Sequence, residues 1–320
     1  MALPASPKLA LKRGALITAA NWQVVVLQWV ADSLFTALLA VPVVGGAALV
    51  LLTSGLAPQI LFDQGLRRAV PAVAAALLAH PIALVAFLTA VLVVLLGGSL
   101  FMAFVKGGTI TVLAASDAEA GPLEHPPLRL DVVGHAGRFR LETATSGAQR
   151  LFGRFARLGC GLFVAYGAIG TAALAALVSG GTPSSAWDAA RLFGLTVAVV
   201  AAVTLVNLAY LLLQIAVVVD DCDATTAVGR VVSFLVRQPR DVGVVFVVVS
   251  TLVALGTAAS FLATTALGLI AFVPLVGLAA LPLQVGAWLV RGLVFQFLGL
   301  TALVAYVRLY RTGGGGGGAG

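Results

Sequence analysis

Apolar residues in this chain come in long unbroken blocks instead of alternating with polar ones. Stretches free of Asp, Glu, Lys and Arg cover 33–62, 69–105, 158–187, 192–219 and 242–290. About 20 apolar residues at 1.5 Å each cross the ~30 Å hydrocarbon core of a bilayer as a helix. The blocks predict six spans, at about 24–53, 82–105, 158–180, 191–219, 243–270 and 284–307. A transmembrane β-barrel would show roughly ten-residue segments of alternating polarity, whereas these runs are uniformly apolar over 24 residues or more. The predicted fold class is therefore an all-α membrane protein, with one polytopic domain over 1–311 and a Gly-rich, disordered tail over 312–320. Two boundaries are soft. Residues 14–62 carry a single charge, Asp32, so the first span fits at 22–45 or 33–55, and Pro274 and Pro282 predict an elbow between the last two spans.

Composition removes the soluble alternative. Of 320 residues 61% are hydrophobic and 10% charged, against roughly a quarter charged in an ordinary soluble domain. The formal charge is +7, and sixteen of nineteen cations are Arg, a usage that fits a GC-rich bacterial genome. Fourteen cations fall in the N-terminal segment, the loops 114–157 and 220–242 and the C-terminus, while Arg67, Arg68 and Arg191 fall on the other side. By the positive-inside rule both termini are expected in the cytoplasm, at a bacterial inner membrane. Cys160 and Cys222 then lie at the reducing face, where no disulfide is expected. Lys8, Lys12 and Arg13 precede an apolar stretch without a small-residue cleavage site, which predicts an uncleaved signal anchor.

Basic amphipathic stretches lead into the outward-going spans. Arg150, Arg154 and Arg157 recur on one face between Gln149 and Leu158, opposite Leu151, Phe152, Phe155 and Leu158. Such a helix is expected in the headgroup plane on the cytoplasmic side, its arginines on anionic lipids. Thr225–Arg237 repeats the plan with Val228, Val231, Val232 and Leu235, and Lys8–Arg13 is a fainter version. Three units of surface helix plus transmembrane hairpin are suggested, at unequal spacing. Membrane lipids are the expected partners; nothing points to nucleic acid.

Polar residues inside the spans recur at helical spacing: Gln28, Asp32 and Thr36; Asn207, Tyr210 and Gln214; Gln284, Trp288 and Arg291. Polar groups against lipid are costly, so these stripes are expected to face the bundle interior. One reading gathers Asp32, Asn207, Tyr210, Gln214 and Arg291 into a polar binding site between spans one, four and six, with Asp32 and Arg291 paired. The other leaves Asp32 at the interface, Arg291 snorkelling to headgroups and the amides bonding neighbouring helices. Asp220, Asp221 and Asp223 supply carboxylates of the type a hard cation needs, but the simpler reading has Asp223 capping the next helix through its side chain. Gly256, Ser260, Thr264 and Gly268, at i+4 intervals, predict a close helix approach, and Gly97–Gly98 and Gly107–Gly108 predict tight packing or a mild kink, with an unwound, substrate-contacting segment as the alternative.

The motifs of hydrolytic and nucleotide chemistry do not appear. His80, His125 and His135 have no carboxylate or cysteine at metal-ligand spacing. Lys106-Gly107-Gly108-Thr109 reverses the order of a phosphate-binding loop. No cofactor or metal is expected, and an enzymatic role is the weaker expectation.

Two segments carry a family resemblance. Phe104-Val105-Lys106-Gly107-Gly108-Thr109, followed by an apolar run, and Val218-Val219-Asp220-Asp221-Cys222-Asp223, followed by Ala227 to Arg237, resemble bacterial integral membrane proteins similar to the membrane domain of some glycerophosphodiester phosphodiesterases. The resemblance covers about a third of the chain. It implies a six-helix bundle with surface helices, a link to lipid or envelope physiology and no transferable catalysis, since the phosphodiesterase domain and its His-Arg signature are absent. The expected description is an integral inner-membrane protein, non-enzymatic, with two alternatives: a small transporter or lipid-handling protein, or a membrane subunit or scaffold for a partner.

Overall fold

The computed structural model describes residues 6–54, 75, 78–121, 137, 139–179, 185–271 and 276–313. Among them it is helical throughout, without a strand. Eight helices follow one another: α1 Pro7–Ala20, α2 Trp22–Ser54, α3 Pro81–Glu119, α4 Leu141–Val178, α5 Ala186–Val219, α6 Ala224–Arg237, α7 Pro239–Ala271 and α8 Val276–Thr312. Six of them (α2, α3, α4, α5, α7 and α8) are long and apolar enough to cross a membrane. Each coincides with one of the six predicted blocks.

Helix ends depart from the blocks because caps and packing, not charge, stop a helix. α5 starts at Ala186, five residues before the predicted 191, where Ser185 and Asp188 form a reciprocal capping box: the Asp188 amide donates to Ser185 Oγ (3.2 Å) and the Ser185 amide to Asp188 Oδ2 (3.0 Å). α1 starts on the N-cap Ser6, with Pro7 in the first turn where its missing N–H costs nothing. α3 runs on through Lys106, Gly107 and Gly108 to Glu119. Pro282 lies inside α8, so the predicted elbow does not extend to it; Pro274 and the far tail lie outside the described residues. Basic Gln149–Leu158 is no separate surface helix: it forms early turns of the continuous α4.

The chain divides into two compact units, Met1–Trp29 with Ala103–Gly320, and Val30–Met102; α2 and α3 each run from one into the other. Within Val30–Met102 the two helices meet at small residues. A Cβ on Gly46 would strike the Phe87 ring, and one on Gly98 the Phe35 ring.

The larger unit has its core at one end. Ala10 and Ile17 of α1, Ile110 and Leu113 of α3, Leu151 and Phe155 of α4, Leu212–Val218 of α5, Ala227, Val231 and Phe234 of α6 and Leu300–Tyr310 of α8 form one buried cluster. α1 lies so close to α8 that a side chain at Gly14 would strike the Thr301 carbonyl. α3 crosses α4 through Gly107 and Gly108, where added Cβ atoms would lie 3.4 Å from Ala148 Cα and 2.6 Å from the Ala144 carbonyl oxygen. Gly107–Gly108 is thus tight packing inside a continuous helix, not an unwound segment. Away from this end the helices bury little: the most apolar window of α4 buries none of its residues and those of α3 and α5 bury 6% each.

Candidate functional site

Charge inside the buried end comes first. Arg13, 2% exposed, donates Nε–H to Asp117 Oδ1 (2.6 Å) and gives its remaining donors to the carbonyls of Asp117, Ala120 and Gly121. Arg311 reaches Asp117 Oδ2 (3.1 Å) and the Ala114 carbonyl (3.1 Å). One fully buried carboxylate therefore joins α1, the end of α3 and the end of α8. A buried charge is tolerated only when paired and hydrogen-bonded, and here nearly every donor of Arg13 has its acceptor. None of this was visible in the sequence, where Arg13 counted as one cation of an N-terminal cluster.

The acidic run 220–223 is a turn between α5 and α6 whose carboxylates are each answered by protein groups. Asp220 Oδ2 accepts from Tyr310 Oη (2.6 Å) and pairs with Arg230 (2.7 Å). Asp221 pairs with Arg154 (2.5 Å) and lies 4.0 Å from Arg150. Its φ of 47° is the left-handed geometry that closes a helix. Asp223 occupies the N-cap of α6 but makes no side-chain capping bond, facing Arg154 at 3.9 Å instead. The capping expected of its side chain is thus not made. Burial pushes the neighbouring Cys222 thiol up from its ordinary value, and the hydrogen bond that Arg230 donates to Asp220 raises Arg230. Among the described residues no group of three His, Cys, Asp or Glu side chains converges as a metal site.

Of the predicted headgroup contacts, Arg150 and Arg154 are thus drawn toward Asp221, while Arg157 is exposed. The apolar face opposite them is split. Leu151, Phe155 and Leu158 are buried in the protein, whereas Phe152 remains 37% exposed and packs edge-on with Phe104.

Within the larger unit, the residues of the predicted intramembrane site have different neighbours. Asn207 Oδ1 accepts from Tyr166 Oη of α4 (2.6 Å), and the Lys106 ammonium lies 5.4 Å above the Tyr210 ring. Gln214 is buried one turn further on, its Nε2 without an acceptor among the described residues. Asn207, Tyr210 and Gln214 do share a polar stripe, and its neighbours are Tyr166 and Lys106, which sequence spacing did not indicate. Gln28 is buried and accepts from Thr109 Oγ1 (3.2 Å). Asp32 is exposed, and the Thr36 hydroxyl bonds its backbone carbonyl. Asp32 belongs to the smaller unit and Arg291 to the larger.

Arg291 lines a groove of about 710 Å³ between α7 and α8, with Gln284, Trp288 and Phe295 beside it and Gly256, Ser260, Thr264 and Gly268 opposite. The small-residue stripe therefore floors an open groove here, not a close helix crossing: a Cβ on Gly256 would meet Phe295 at an ordinary 3.6 Å and one on Gly268 would meet nothing within 4 Å. The Arg291 guanidinium is stacked over Phe295, 5.6 Å from its ring. Among the described residues no carboxylate pairs with it or lines the groove.

No family model, curated protein or solved structure matches the chain. Its chemistry has to be read from the side chains alone. Between two candidate spans they offer a groove with one cation, two hydroxyls and an amide.

Proposed function

We propose that this chain is a non-enzymatic integral protein of a bacterial inner membrane that handles membrane lipid, with both termini in the cytoplasm. The observation that carries the reading is the groove between α7 and α8: mainly apolar, open between two candidate spans and lined by a guanidinium without a carboxylate partner among the described residues. An ionisable residue within a span is costly and is kept where it serves a pathway or a ligand. The fourteen-to-three asymmetry of Lys and Arg supports the orientation. α6 supports contact with the membrane surface, since Ala227, Val231 and Phe234 face the protein core while Val228, Val232 and Val236 stay about half exposed or more beside Arg230 and Arg237. The resemblance to membrane proteins of lipid and envelope physiology points the same way.

The test is retention of lipid. The full chain, extracted with its surrounding bilayer and then washed in detergent, should keep a lipid subset enriched over the bulk membrane, and Ser260→Leu, which fills the groove, should lose it. Equal lipid content in both would sink the reading. Orientation is tested separately: a cysteine at Arg67 should react with an impermeant reagent in intact cells while Cys222 does not.

A second reading, transport of a small polar solute, draws on Lys106, Tyr166, Asn207 and Tyr210, which come together from three helices. It predicts that Lys106→Met abolishes solute flux in proteoliposomes without altering lipid retention.

A further inference from the structure

We infer that the α7–α8 groove selects an anionic glycerophospholipid, whose phosphate rests on Arg291 while its acyl chains stay in the surrounding bilayer. The inference rests on the lipid-handling reading and names the ligand class of that same groove. Gln284, Trp288, Arg291 and Phe295 lie on one face of α8 at helical spacing, and Gly256 to Gly268 floors the groove opposite over about 18 Å of α7. The walls are mainly apolar, with Ser260, Thr264, Gln284 and Arg291 as the polar groups an acyl chain would leave unused. Ser260, Thr264 and Gln284 add two hydroxyls and an amide to the groove that holds the guanidinium. The Thr264 hydroxyl already donates to the Ser260 carbonyl (2.8 Å), so its oxygen is left to accept a hydrogen bond from a glycerol hydroxyl.

Charge decides the class. A guanidinium grips phosphate through two parallel N–H···O bonds, and every glycerophospholipid has a phosphate. A zwitterionic headgroup also brings an ammonium, and among the described residues no Asp or Glu lines the groove to receive it. A net-negative headgroup such as phosphatidylglycerol neutralises Arg291 and leaves no charge stranded in a low-dielectric cleft. The lack of side chains at Gly256 and Gly268 gives the headgroup its room: neither position has a neighbour closer than 3.6 Å to where a Cβ would stand.

The experiment titrates the purified full chain in detergent with dioleoyl phosphatidylglycerol and dioleoyl phosphatidylcholine, reading bound lipid by native mass spectrometry and fold by circular dichroism. The wild type should prefer the anionic lipid roughly tenfold, the scale of one headgroup charge in reach of one arginine. Arg291→Gln should bring the two lipids within about twofold while still binding both, and Arg291→Lys, which keeps the charge but not the fork, should retain part of the preference. Ser260→Leu should lose both lipids. An unchanged preference in a folded Arg291→Gln protein would overturn the anionic assignment while leaving lipid handling intact. Unchanged binding in Ser260→Leu would overturn lipid handling at this groove as well. sn-Glycerol 1-phosphate should not compete at equal concentration; if it did, the site would be one for a soluble anion and the lipid assignment would fall.

Discussion

The two ends of the larger unit are built from the same helices on opposite principles. Where α1, α6 and the ends of α3, α4, α5, α7 and α8 meet, side chains such as Ile17, Leu151, Phe155, Leu212 and Val304 are fully buried, and the fully buried Asp117 carboxylate is bound by two arginines. Further along α4, Phe163, Val164, Leu174 and Val178 are 42–75% exposed. The contrast follows from the solvent. At a water-facing end, burying apolar surface stabilises at about 25 cal/mol per Å². Inside lipid the surroundings are as apolar as the side chains, so helices associate only where small residues interlock or polar groups bond. The groove beside Arg291 lies in that loosely associated half, and the ionic joints lie in the compact one.

The contrast breaks most visibly at the buried triad. Asp117→Ala strands Arg13 in the core, and removing one partner of a buried pair costs about 3–5 kcal/mol, enough to abolish cooperative unfolding of the detergent-solubilised protein. Arg291→Ala, in the open half, should leave the thermal midpoint nearly unchanged. Equal losses in the two variants would mean that the halves are not held by different forces.

Glycine substitutions sharpen it next. Gly108→Val must push Cβ into the Ala144 carbonyl, 2.6 Å away, and overpacking of this kind costs about 1–3 kcal/mol. Gly268→Ala has open space around it and should stay within about 0.5 kcal/mol of the wild type. Thermal unfolding of the pair measures whether the crossing at α3–α4 is the rigid one.

Tyr310→Phe comes third. It removes the donor to Asp220 (2.6 Å) but leaves Arg230 in place, so a cost of about 1–2 kcal/mol is expected for a part-buried hydrogen bond to a charged acceptor. Asp220→Asn in the same background should add less than it does alone, since the two act through one contact.

What the sequence made legible was whatever the bilayer demands of any chain. Six apolar lengths were readable because each span has to satisfy its own backbone and cross a fixed thickness. The ends of α3 were not, since a charge such as Lys106 marks where lipid ends, not where a helix ends. Asn207, Tyr210 and Gln214 were readable as one stripe from their spacing, but Tyr166 is 41 positions away from Asn207 and no local pattern points to it. The triad was hidden for the same reason, with Arg13 104 residues from Asp117 and Arg311 194. The stripe from Gly256 to Gly268 was readable as small residues on one face, yet close packing and an open groove share that signature. Only the bulk of Trp288, Arg291 and Phe295 opposite decides between them.

The smallest effect isolates backbone from charge at the exposed turn. Asp221 combines a left-handed φ of 47° with ion pairs to arginines of α4, and its carboxylate is 54% exposed, where a pair contributes about 0.2–1 kcal/mol and weakens with salt. Left-handed geometry costs most L-residues about 1–2 kcal/mol and glycine almost nothing. Asp221→Gly therefore loses the pair but relieves the backbone, and its stability should match the wild type within about 0.5 kcal/mol. Asp221→Ala loses the pair and keeps the strain, so it should fall about 1 kcal/mol below Asp221→Gly. The Gly–Ala gap is conformational and should persist at high salt, whereas the gap between wild type and Asp221→Asn, which tolerates the same φ, should close as salt rises. A Gly–Ala gap that closed with salt would show that charge, not backbone geometry, holds the α5–α6 turn against α4.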